Sequence, residues 1–196
     1  WGTGEREVLL AAGESGLFPP AKATPVADPA AERESETPAT RQRETARDYS
    51  SHVARRDYPS AFALLSRHPA LAGDSVEELL VAADVARLSN HPAEAVPYLQ
   101  RIIRDHSRDE RAPLAAFTLG RTLSGLGRTR EAMNMFARVR SAWAKSPLAE
   151  EALLRQAEAA SRLGEIGTAV RLAEEYDRVY PQGRRRSEVR RFARLE

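Results

Sequence analysis

The residues equipped for chemistry are few and scattered. The four histidines, His52, His68, His91 and His106, lie far apart, three of them beside predicted helix ends or turns. Asp105-His106-Ser107 holds the three groups of a nucleophilic triad in a row. Immediate neighbours on a helix diverge, so the run cannot set a base onto a nucleophile, and the histidines are expected on the solvated surface. There is no cysteine, which removes disulfides, thiolate metal ligands and cysteine nucleophiles together. Gly120, Gly125 and Gly127 resemble a phosphate loop, yet no strand precedes them and no Lys-Ser or Lys-Thr follows. Adjacent carboxylates at Glu77-Glu78, Glu150-Glu151 and Glu174-Glu175 point apart on a helix, forming neither a metal site nor an acid–base dyad. No enzyme signature remains, and no cofactor or metal is expected.

Charge adds one feature. The net charge is only +2, so composition argues for neither a nucleic-acid binder nor an acidic tail. Lys22 and Lys145 are the only lysines, the remaining positive charge being arginine. Six arginines, Arg184, Arg185, Arg186, Arg190, Arg191 and Arg194, crowd the C-terminus against Glu188 and Glu196. The one aromatic among them, Phe192, shares the apolar face with Val189, so no stacking platform is interleaved with the charges; a solvated helix face is the expected role and nucleic acid is not expected as a partner. No apolar run approaches the ~20 residues that span a bilayer, so this chain is expected to make no membrane contact of its own.

The elements that must position any site fall into three textures. Val8-Leu9-Leu10-Ala11-Ala12, bounded by Gly4 and Gly13, suits a short strand. Residues 21–37 are rich in Pro, Ala and Glu, the composition of a flexible linker. Thr37-Pro38 opens a helical region, with threonine as N-cap and proline at the first helical position. From there four columns recur. Ala61, Ala95, Ala132 and Ala169 are spaced by 34, 37 and 37 residues, and four residues after them stand Leu65, Leu99, Phe136 and Ala173. Twelve residues before them stand Tyr49, Ala83, Gly120 and Ala157, and five before them Arg56, Asn90, Gly127 and Gly164. Gly or Asn between two amphipathic stretches marks a helix ending in the left-handed conformation. The small residue in the preceding helix lets the next one approach. Each unit is a helix, a tight turn and an antiparallel helix, and the units must stack to bury their apolar stripes.

This pattern resembles the tetratricopeptide repeat over roughly residues 40–181, with 119–139 the best match and Pro181 as a terminal proline. The first unit departs from it, since Tyr49 fills a small position and Arg56 a turn position. The resemblance implies an all-α, right-handed superhelix of about four antiparallel helix pairs over 38–181. SEVRRFARLE, with Val189, Phe192 and Leu195 on one face, is expected to cap the last pair within 184–196. Residues 1–15 resemble the closing strand of a FecR-type domain at Val8, Leu10, Gly13 and Glu14. Residues 1–20 would then be the remnant of an upstream β-rich domain, and the start at Trp1 suits a piece of a longer protein. That resemblance implies a place in the bacterial envelope, on the periplasmic side.

In such stacks the first helix of each pair lines the concave side. The candidate groove is therefore Asp84, Arg87, Phe117, Arg121, Ser124, Leu154, Glu158 and Arg162, a mixture of charged and apolar groups suited to a peptide or short helix. A non-catalytic scaffold holding a protein or peptide partner is the first expectation. A module that self-associates or packs on its parent protein is the alternative, and a tail regulating an upstream enzyme such as a kinase is a third.

Overall fold

The structure, a computed structural model, describes residues 37–194. The strand expected at 7–12, the linker through residue 36, the FecR-type motif and Leu195 lie outside the described residues. Within them the chain is all-helical, and no strand occurs. Helices α1 (Pro38–Ala54), α2 (Tyr58–Arg67), α3 (Val76–Leu88), α4 (Pro92–Asp105), α5 (Ala112–Gly125), α6 (Thr129–Ala142), α7 (Ala149–Arg162), α8 (Ile166–Val179) and α9 (Arg186–Phe192) follow one another, with a 3-10 turn at Pro69–Ala72. They form four pairs, each packed on the next, and α9 lies across both α7 and α8. Val189 is buried there and Phe192 is partly buried against the same cluster, so α9 caps the last pair.

The turns inside the pairs are one device used four times. Arg56, Asn90, Gly127 and Gly164 all have positive φ, at 59°, 66°, 74° and 73°. The amide after each reaches the carbonyl five residues back: Asp57 to His52, His91 to Ala86, Arg128 to Leu123 and Glu165 to Ala160, at 2.8–2.9 Å. Each left-handed residue donates to the carbonyl three back: Arg56 to Val53, Asn90 to Arg87, Gly127 to Ser124 and Gly164 to Ser161. This bond pair is the Schellman motif, which satisfies the orphan carbonyls of a helix end. Arg56 obeys the geometry without the residue type that favours it. A left-handed L-residue costs roughly 1–2 kcal/mol. Arg56→Gly is therefore expected to raise stability by about 1 kcal/mol, and Gly127→Ala to lower it by a similar amount, measured as midpoint shifts in urea.

The small-residue column sets how closely each pair closes. Ala83 and Ala157 are buried, and a Cβ added at Gly120 would lie 2.6 Å from the Phe136 ring. The largest side chain of the second-helix column thus faces the position with none. The first pair breaks the rule. Tyr49 stands in the small column, and α1 lies less closely on α2 than the first helix of every other pair lies on its second. A cavity of about 780 Å³ opens beside it, lined in part by Ala46, Tyr49, Val53, Leu71 and Val81. The Tyr49 hydroxyl is buried with no hydrogen-bond partner, and burial, aided by Tyr98, pushes its pKa up to about 12. A buried hydroxyl without a partner costs roughly 1–3 kcal/mol, so Tyr49→Phe is expected to raise the melting temperature. The shorter first spacing has a local cause as well: α2 has 10 residues where α4, α6 and α8 have 14 each.

Side chains then tie pair to pair. Arg101 donates to the Gly73 carbonyl and pairs with Asp74, and Arg138 reaches the Ile103 carbonyl, two arginines at the same place in successive repeats. The residues ending α4 and α6 do likewise: His106 bonds the Asp74 carbonyl at 3.0 Å, and the Trp143 indole donates to the Ser107 carbonyl at 3.2 Å.

Candidate functional site on the face of the first helices

Helix periodicity decides which residues of α3, α5 and α7 reach the surface. Residues three apart share a face, so those three before Gly120 and Ala157 turn inward with them. Phe117 and Leu154 stand there. Phe117 is 8% exposed, its ring tilted against Phe136 at 5.7 Å, and Leu154 is 0% exposed. Both were expected to line the groove and both belong to the core instead. The spacing of three from the small column was the signal that places them inside.

The other six expected residues reach the surface and sort by charge. Asp84 and Arg87 pair with each other at 2.5 Å on α3. On α7 Glu158 receives Arg162 at 2.6 Å and Arg155 at 3.0 Å, and Arg155 also holds Glu151 at 2.9 Å. Arg162 reaches across to Ser124 Oγ on α5 at 3.3 Å, the one direct link between expected site residues of different pairs. Arg121 is exposed and makes no ion pair among the described residues. It borders a cleft of about 250 Å³ with Arg87, Leu88, Pro92, Thr118 and Gly125. Thr118 and Gly125 flank Arg121 at helical spacing, and the periodicity could have nominated them. Leu88 is 54% exposed and Leu114, two turns before Arg121, is 46% exposed, so the charged strip has apolar neighbours.

The groups that first suggested chemistry are spent on structure. His52 bonds Asp57 at 2.9 Å, and Asp57 caps α2 by accepting from the Ser60 amide. Those bonds, Ser60 first, hold the Asp57 carboxyl below the usual carboxylate range. His91 stacks on Phe62 with ring centroids 4.1 Å apart. With His106 bonded to the Asp74 carbonyl, three of the four histidines thus hold turns rather than standing free in solvent. Asp105 is held by Arg104 and Arg101. Of the adjacent glutamates, Glu78 closes a capping box with Ser75, and Glu150 accepts the Tyr176 hydroxyl at 2.6 Å. Among the described residues no group of three His, Asp or Glu side chains is placed to hold a metal, and no helix is long and apolar enough to cross a membrane.

The C-terminal arginines divide evenly. Arg186 and Arg190 both bond Asp177, which drives its carboxyl well below the usual range, and Arg185 pairs with Glu188 and Glu151. Arg184, Arg191 and Arg194 make no ion pair among the described residues. Half of the cluster therefore fastens the capping helix.

No protein-family model matches the chain, and no curated protein matches it either. The fold is that of a helical-repeat bundle compatible with the tetratricopeptide type.

Proposed function

We propose that this chain is a non-catalytic interaction scaffold of tetratricopeptide type whose first-helix face holds a peptide or protein segment. The observation that carries the reading is Arg121. On α3, α5 and α7 every other arginine is neutralised by a carboxylate of the same helix, whereas Arg121 borders an open cleft without one. Self-neutralised charge holds a surface in shape, and an unneutralised guanidinium with exposed leucines beside it is the composition of a recognition surface. The FecR-type motif at Val8, Leu10, Gly13 and Glu14 supports a further placement, as a periplasmic part of an envelope signalling or assembly protein.

The test is photo-crosslinking in the native cell. A photoreactive residue at Ser124, on the first-helix face, should yield adducts with a second polypeptide. One at Arg171, exposed on α8, should not. Adducts from position 171 alone, or adducts at 124 only with another copy of the chain, would contradict the proposal.

A further inference from the structure

The cleft at Arg121 has chemistry specific enough to name what it takes. We infer that it receives a carboxylate side chain, Asp or Glu, of an extended peptide, with a bulky apolar residue of that peptide lying beside it on Leu88. The inference rests on the reading of the first-helix face as the binding surface.

The local charge is the first reason. Arg87 and Arg121 both line the cleft, but Asp84 already engages Arg87 at 2.5 Å, which leaves one unmatched positive charge at Arg121. One carboxylate neutralises it, and a guanidinium presents a planar fork that matches a carboxylate with two hydrogen bonds. The second reason is that capping lessens the opposing charge nearby. The cleft sits where α3 and α5 end, and uncapped helix C-termini would repel an anion. Here the Ala86 carbonyl is capped by the His91 amide and Leu123 by Arg128, and the Ser89 hydroxyl donates to the Val85 carbonyl. The third is the wall. Leu88 is 54% exposed and borders the cleft on the same side as Arg87, so the residue beside the acid meets hydrocarbon. A volume of about 250 Å³ has room for such a side chain.

The probe is a phage-displayed library of random dodecapeptides, panned in parallel on the full chain, on Arg121→Glu, on Gly125→Trp, which fills the cleft, and on Ser124→Trp, outside the cleft on the same helix, with helical content verified by circular dichroism. The full chain should enrich Asp or Glu next to Leu, Ile or Phe several-fold over the input, Arg121→Glu should exchange that acid for Lys or Arg, and Gly125→Trp should abolish enrichment. A selected peptide and its Glu→Gln counterpart should differ by about tenfold in Kd on the full chain and not at all on Arg121→Gln. Peptides without acidic preference, or peptides that survive Gly125→Trp and are lost on Ser124→Trp, would overturn this inference while sparing the groove. Peptides that survive both tryptophan variants, or no enrichment at all, would overturn both.

Discussion

Gly120→Val is expected to lower stability by about 3 kcal/mol, the upper end of overpacking costs in a closed core. Even the first added carbon would lie 2.6, 2.9 and 3.0 Å from three atoms of the Phe136 ring. That ring cannot retreat, because Phe136 is 2% exposed and already tilted against Phe117. The loss should appear as a melting temperature lower by roughly 6–12 °C, at about 2–4 °C per kcal/mol for a chain of this size. Gly120→Ala should lose less, because alanine recovers about 1 kcal/mol of helix propensity against the same clash. Shortening the opposing ring tests the cause: Phe136→Leu costs stability alone, yet it should recover part of the loss when combined with Gly120→Val. Strictly additive losses would mean that the α5–α6 approach is set by something other than this contact.

Tyr176→Ala is expected to cost about 3–5 kcal/mol, the range for deleting a buried aromatic side chain. Ala157 and Ala173, the facing pair in the last repeat, are both small, and Tyr176 fills the space between α7, α8 and α9 with no exposure at all. Its hydroxyl donates to Glu150 at 2.6 Å and accepts from the Arg185 amide at 3.2 Å, joining the start of α7 to the segment that leads into α9. Tyr176→Phe keeps the ring and should cost only about 1–2 kcal/mol, the worth of the two bonds. Hydrogen exchange separates the effects: the alanine variant should expose amides in α7, α8 and α9 together, and the phenylalanine variant chiefly those around Arg185–Phe192. Gly183 is bound to the same feature, since a Cβ there would lie 2.6 Å from the Tyr176 hydroxyl.

These two residues also mark what was legible in the sequence. The pairing of Gly120 with Phe136 follows from columns at constant spacing, and so does the turn column, because a left-handed helix end is a local demand that selects glycine or asparagine. Arg56 carries no such signal in its identity, and only its place in the column announces it. Tyr49 was visible as a departure, but its consequence, a first pair held apart beside a cavity of about 780 Å³, depends on packing that no spacing encodes. The candidate site was legible in half measure. Asp84, Arg87, Arg121, Ser124, Glu158 and Arg162 do reach the surface, whereas Phe117 and Leu154 turn inward with the small column. That Arg121 lacks a same-helix carboxylate was legible, because Phe117, Thr118, Ser124 and Gly125 occupy the positions three and four residues away, whereas a tie between pairs such as Arg162 to Ser124 depends on packing.

A first-helix face that takes a partner must stand open in the chain in solution. Light scattering of the full chain across a concentration series tests this. A constant mass of 21.7 kDa is expected, because the large hydrophobics exposed among the described residues, Leu88, Leu114 and Val179, are too few and too separate to form a self-association patch. A mass that climbs toward twice that value for the full chain, and stays at the monomer value for Ser124→Trp, would mean that the face is already filled by a second copy and would contradict an open face.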